Sequence, residues 1–171
     1  MTGIGCCLPQ VTSDFDVIKQ VAQESERLGF DSVWMYDHLQ SYDGPAEDPF
    51  YEIWTTLSAL AAVTSKIRLG TLVLCNSFRF PSIVAKMSST LDRVSNGRTE
   101  IGIGAGWLKS EFDAFGIPFV DATTRIESLR EAIPIIKSMW TQEKTTYEGK
   151  YYSVNSVYNN PKPVQKPHPP L

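Results

Sequence analysis

The chain has 171 residues, 42% of them hydrophobic and 20% charged, with a formal charge of −3. That composition suits one folded domain with a sizeable core, excludes general disorder, and gives no electrostatic reason to bind nucleic acid. No apolar run has the length of a membrane span, no basic-then-apolar leader opens the chain, and Cys6, Cys7 and Cys75 form neither a disulfide framework nor a zinc set, so a reducing cytoplasm is the expected compartment.

Gly3 to Leu8 is short, apolar and stopped by Pro9, and is the first predicted strand. A helix follows over 14–28. Val17, Ile18, Val21, Ala22 and Leu28 share one face, Ser13 or Asp14 can cap its start and Gly29 its end. Asp31 to Tyr36 reads as the second strand, and the Gly- and Pro-bearing stretch 37–50 as a long loop. A Leu- and Ala-rich helix spans 51–64, and a third strand Ile67 to Leu74. Pro81 suits the first turn of the next helix, which runs to the Ser95-Asn96-Gly97 turn.

Arg98 to Ile103 is the fourth strand. Its Thr99, Ile101 and Ile103 point one way, and Glu100, Gly102 and Gly104 the other. A long loop is expected to about Thr123, after which Thr124 to Glu127 has the form of a capping box for a helix to about Trp140, kinked by Pro134. Thr145 to Val154 reads as a hairpin, and the proline-rich tail 159–171 as extended. The four strands begin roughly thirty residues apart with helices between them, the signature of βαβ units in a parallel α/β sheet. Ligands of such sheets sit on the loops at the carboxyl ends of the strands.

Chemistry-bearing residues fall on those loops. Asp37-His38 ends strand two, and a histidine there suits proton transfer; the bland reading is a strand-end cap beside a solvated loop residue. A metal site is not expected, since His168 in the tail is the only other histidine. Asn76 and Ser77 follow strand three and can bond a ligand or their own loop. Arg79 can hold a phosphate or form a surface pair, and Cys75 has no flanking cation to activate it. Gly102-x-Gly104-x-Gly106 allows close backbone approach to a ligand or tight packing, but lacks the spacing of a dinucleotide fingerprint. Trp107 can stack on a ring or simply pack.

As a set, several segments resemble the luciferase-like monooxygenase superfamily. They are Leu28-Gly29-Phe30-Asp31-Ser32-Val33-Trp34 leading to Asp37-His38, the run 54–61, Ile67 to Val73, Gly102 to Trp107, Tyr147 to Tyr152, and the tail from Asn160. The resemblance is nearest to the branch using the deazaflavin coenzyme F-420. It implies a TIM-type (β/α) barrel with flavin or deazaflavin at the carboxyl ends of its strands. It places Asp37 and His38 beside the ring system, with His38 as acid/base. Leu72 and Val73 would lie under one ring face, often through a bulge with a cis peptide, and Asn76, Gly104, Ala105, Gly106 and Trp107 would contact cofactor or substrate. Phe80 stands where a histidine is usual. Trp107 stands where the sugar-phosphate dehydrogenases of the superfamily carry a glutamate acid, which counts against that activity.

An eight-unit barrel needs about 250 residues, so the expected fold is an N-terminal half-barrel with strands in order 1-2-3-4. Asp37, His38, Asn76 and Gly106 are expected in one depression. The expected function is hydride transfer between reduced coenzyme F-420 and a small organic substrate. An FMN-dependent monooxygenase is the alternative, and a non-catalytic half-barrel the rival of another class. Two free sheet edges, one of them the uncharged run Thr2 to Leu8, and an apolar inner face predict self-association, most simply a homodimer.

Overall fold

A computed structural model describes residues 3–171; Met1 and Thr2, the latter at the start of the expected edge strand, lie outside the described residues. Strands β1 (Gly5–Cys7), β2 (Ser32–Met35), β3 (Arg68–Cys75) and β4 (Thr99–Gly104) form one parallel sheet in the order β1-β2-β3-β4. Helices α1 (Phe15–Leu28), α2 (Ile53–Val63) and α3 (Pro81–Val94) connect them. These are the expected (β/α) units of a half-barrel. Strand ends shift by one or two residues from the sequence pattern, because Ile4, Asp31 and Leu8 still exchange backbone bonds beyond the regular ladder.

Asp14 caps α1 through its carboxylate, which accepts from the Asp16 N–H (2.8 Å). Gly29 ends the helix at φ 84°, a left-handed conformation that a side chain disfavours. Val33, Met35, Leu69 and Ile101 on one sheet face are buried with Ile18, Leu57, Leu60, Val84 and Leu91 of the helices, which makes this side the core. Among the described residues, no helix is long and apolar enough to cross a membrane.

Two expectations are corrected. The loop after β4 contains a short helix α4 (Lys109–Ala114). The next helix, α5 (Ala122–Thr141), begins before the Thr124–Glu127 box: Asp121 is its cap, accepting from the Thr124 N–H (3.0 Å). Glu127 is engaged instead by the Tyr151 hydroxyl and Lys150. Pro134 lies within α5, which continues past it.

The other sheet face is not apolar. Gly5, Cys7, Ser32, Arg68, Gly70 and Glu100 line it, and Arg68 and Glu100 are ion-paired. Its large apolar side chain, Trp34, lies against the glycines: a Cβ at Gly70 would stand 2.2 Å, and one at Gly5 2.4 Å, from the indole. The expected apolar drive for self-association is therefore missing from this face. The β4 edge is also partly occupied by the tail, since the Ile101 N–H donates to the Pro170 carbonyl (3.0 Å) and Gln165 Nε2 to the Thr99 carbonyl (2.7 Å).

A hairpin of β5 (Lys144–Glu148) and β6 (Ser153–Tyr158) follows α5. The tail is extended, as expected, and is tied to α3 by Asp92, whose carboxylate accepts from the Val164 and Gln165 N–H groups and from Gln165 Nε2.

Candidate functional site

At the carboxyl end of the sheet, β3 leaves register with β4 between Thr71 and Leu74. The buried Thr71 hydroxyl bridges the gap, accepting from the Gly102 N–H and donating to the Gly102 carbonyl, both at 2.9 Å. Leu72 and Val73 are thereby released from the ladder. The peptide between them is cis, and both side chains are exposed. The glycines of β4 make room beneath them: a Cβ at Gly102 would lie 2.5 Å from the Thr71 carbonyl oxygen, and one at Gly104 2.9 Å from the Val73 side chain. Gly106 turns at φ 79° over Cys75 and Phe112. Gly102 and Gly104 thus serve the packing of the offset.

His38 faces this offset from the end of β2. Gln10 sets the strand end, accepting from the Tyr36 N–H (2.5 Å) and donating to the Tyr36 and Tyr51 carbonyls. The imidazole stacks on Tyr42 (centroids 4.2 Å apart) and meets the edges of Phe50 and Trp107. Its Nδ1 lies 3.0 Å from Oε2 of Glu111 in α4. Glu111 is only 1% exposed, and its Oε1 accepts from the Leu39 N–H (2.6 Å) and the Gln40 N–H (3.4 Å). Burial pushes the Glu111 carboxyl up. The His38 contact and the two N–H groups outweigh it and hold the group below its ordinary value, as a carboxylate.

Between His38 and the Leu72–Val73 segment lies a cavity of about 270 Å³. Tyr36, Asp37, Tyr42, Leu74, Cys75, Phe78, Gly106, Trp107, Leu108 and Phe112 complete its lining. The wall is mostly apolar and aromatic and contains no lysine or arginine. Burial pushes the Cys75 thiol up to about 11, which suits packing and not nucleophilic work. A hydrogen bond with Cys7, aided by burial, pushes the Tyr36 hydroxyl up to about 12.

Of the residues expected in the depression, Asp37 lines the cavity and Asn76 does not. Asp37 is almost fully buried in the cavity wall and joins strand ends: its carboxylate accepts from the Cys75 N–H (2.8 Å) and from Arg79 Nη1 at both oxygens (3.0 and 2.8 Å). Burial pushes its carboxyl up against the opposing pull of Arg79. Arg79 also donates to Glu52 (3.0 Å), so it neither waits for a phosphate nor lies in a surface pair. Asn76 does not line the cavity. It is buried, and its Nδ2 donates to the Tyr152 hydroxyl (2.9 Å) and the Ser128 hydroxyl (3.4 Å), because the hairpin folds back onto the end of β3. Gly104 and Ala105 lead into the turn, while Gly106 and Trp107 reach the cavity. Trp107 is 64% exposed at its mouth.

Glu111, Tyr42 and Phe50 were not singled out in the sequence. Only the pairing of Leu108 with Phe112, four residues apart, signals that a buried helical turn carries Glu111.

The residues present fit a flat, apolar ring. Exposed aliphatic side chains and aromatic walls form one space, and the one imidazole at its edge is held by a buried carboxylate.

The model of one family, luciferase-like monooxygenase, matches residues 2–171. An F420-dependent glucose-6-phosphate dehydrogenase of Kineococcus radiotolerans is 39% identical over 146 residues, covering 82% of this chain and 42% of that protein. An FMNH(2)-dependent dimethylsulfone monooxygenase of Pseudomonas putida is 32% identical over 158 residues, covering 92% and 43%. The chain thus spans less than half the length of these relatives. Among solved structures, an F420-dependent secondary alcohol dehydrogenase in complex with an F420-acetone adduct superposes with a TM-score of 0.85 at 25% identity, covering 96% of this chain and 50% of that one. The coenzyme F420 dependent tetrahydromethanopterin reductase from Methanopyrus kandleri gives 0.79 at 28% identity, covering 95% and 47%.

Proposed function

We propose that this chain, which belongs to the luciferase-like monooxygenase family, supplies the ring-binding wall and the proton-transfer histidine of an oxidoreductase moving hydride between reduced coenzyme F-420 and a small organic substrate. The observation that carries the reading is the apolar cavity between the offset Leu72–Val73 segment and the clamped His38. Bound there, the deazaflavin supplies two-electron hydride chemistry. Leu72 and Val73 offer apolar surface to one ring face, with Gly106 and Trp107 at its border. Phe78 and Phe112 exclude water from the reacting side. His38 gives or takes the accompanying proton. Asp37 does so only indirectly, by fixing the strand end from which His38 projects.

A sugar phosphate is not the substrate we propose. The lining holds no cation, Arg79 is committed to Asp37 and Glu52, and Trp107 stands in the mouth. A neutral organic molecule fits this wall better. The free cysteines Cys6, Cys7 and Cys75 agree with a reducing cytoplasm. The edge of β1, unpaired among the described residues, remains the one argument for a homodimer.

FMN is the second reading, supported by the likeness to the FMNH(2)-dependent monooxygenase. Fluorescence titration of the protein with coenzyme F-420 and with FMN, together with oxygen uptake on adding reduced FMN, tests both. Preferential F-420 binding without oxygen uptake is the expected result. Preferential FMN binding with oxygen uptake moves the assignment to a monooxygenase, and binding of neither overturns the cofactor site.

A further inference from the structure

We propose that Glu111 is the positioning residue of the site, holding His38 in the tautomer that carries its hydrogen on Nδ1 and leaving Nε2 to meet a bound substrate. The inference rests on the proposed role of His38 in proton transfer, but its structural part can be measured without cofactor or turnover.

The carboxylate of Glu111 has three neighbours among the described residues: the Leu39 N–H and the Gln40 N–H at Oε1, and His38 Nδ1 at Oε2. The two backbone groups are donors by necessity. A buried, ionised carboxylate is an acceptor only, so Nδ1 must be the donor in the third contact. No lysine or arginine pairs with Glu111 among the described residues, and His38 is its one ion-pair partner. Among the described residues, Nε2 of His38 has no protein hydrogen-bond partner.

Ring orientation is settled by the same set. Tyr42 fixes the plane of the imidazole by stacking, while Phe50 and Trp107 limit its tilt. A stacked ring can still turn over, exchanging Nδ1 with a carbon. Only the hydrogen bond to Glu111 distinguishes the two orientations. Because α4 brings that carboxylate from 73 positions further along the chain, the ring's orientation depends on folding of the loop after β4.

The chemical consequence is directional. With Nδ1–H engaged, neutral His38 offers a lone pair at Nε2 and takes the proton of an O–H or N–H group: that bond breaks, an Nε2–H bond forms, and the imidazolium remains paired with Glu111. In the reverse direction the same Nε2–H returns the proton. The substrate class that uses this arrangement carries a hydroxyl or amine, or the corresponding carbonyl or imine, at the carbon that exchanges hydride.

The chain contains two histidines, His38 and His168, so nitrogen-15 NMR of the imidazoles is assignable with a His168→Gln variant. Spectra recorded near pH ~9, well above the ordinary imidazole range, report the neutral tautomer. The wild-type protein is expected to hold His38 as Nδ1–H, about tenfold or more over the alternative, the ratio a charge-assisted bond supplies. In Glu111→Gln the amide oxygen can keep the Leu39 and Gln40 N–H groups, while its NH₂ now donates to Nδ1, so the population shifts to Nε2–H. Glu111→Asp, which keeps a carboxylate, should retain the Nδ1–H form. A wild-type His38 found mainly as Nε2–H overturns the proposal, even if the variants do not fold. An unchanged tautomer in a folded Glu111→Gln protein overturns it as well. Neither result touches cofactor binding, so failure here is separable from failure of the proposed function.

Discussion

The two ends of the parallel sheet are built on opposite terms. At the amino end, charged groups are spent on backbone. Arg98 is buried and donates to the Ser95, Ile67, Ala61 and Thr64 carbonyls and to the Thr64 hydroxyl. Glu26 accepts from the Ser65, Lys66 and Ile67 N–H groups, so the two side chains pin the turn between α2 and β3 from both sides. At the carboxyl end, Leu72, Val73 and Trp107 are exposed, and Nε2 of His38 has no protein partner among the described residues. Local order at the amino end is saturated by the chain itself, while the carboxyl end leaves apolar surface exposed beside the clamped His38. The lesson is a division of labour: stability below, and above it the surface on which the proposed chemistry rests.

Arg98→Ala should have the largest effect. It strands several buried carbonyl groups and removes the cap at the end of α2, at a cost of about 3 kcal/mol. Chemical denaturation should show the loss, while cofactor affinity of the remaining folded protein stays unchanged. An equal loss from an alanine at an exposed amino-end position would erase the special status of Arg98.

His38→Ala should do the reverse. Turnover in the oxidoreductase assay is expected to fall about 10²- to 10³-fold, the range of a lost general acid/base. Thermal stability should change far less than for Arg98→Ala. Unchanged turnover would remove His38 from the chemistry and leave its clamp as mere packing.

How much of this was legible depends on the range of the contacts involved. Strand order, the Gly29 cap, Pro81 at the start of α3 and the Leu72–Val73 offset follow from local pattern or family resemblance. Asp37 with Arg79, and His38 with Glu111, are pairs joined across 42 and 73 positions, and no spacing rule connects them. Asn76 was misplaced because its partner Tyr152 belongs to a hairpin that folds back over the end of β3. The Thr124–Glu127 box misled because Asp121, three residues earlier, already satisfies the Thr124 N–H. α4 has six residues, too few for helical periodicity to emerge from a glycine-rich loop.

A smaller effect separates the two ends by pH. Burial pushes the Glu26 carboxyl up, but the Ile67, Lys66 and Ser65 groups outweigh it and hold the value at about 2 against an ordinary 4.5. A depressed acid contributes stability that is full above the unfolded value and is lost as pH falls through the folded one. The window is therefore from about 4.5 down to about 2. Discounted for solvent screening, the contribution is about 1–2 kcal/mol. Glu26→Gln should flatten the stability profile over that window and leave it unchanged in shape at neutral pH. A variant as acid-sensitive as the wild type there would show that other carboxylates dominate.

The smallest effect on stability belongs to Trp107, and it is the sharpest test of the division. An indole 64% exposed contributes little to the core, so Trp107→Ala should move the unfolding free energy by no more than about 0.5 kcal/mol. Yet the ring stands at the cavity mouth, edge-on to His38 with centroids 6.2 Å apart. Removing it opens the apolar space to water and takes away a surface for a flat ligand. Ring binding should weaken several-fold, about 1 kcal/mol, with Trp107→Phe recovering most of the loss. Side-by-side melting curves and cofactor titrations decide the matter. Clear destabilisation with intact binding would make Trp107 a packing residue, and the carboxyl end would then share in stability after all.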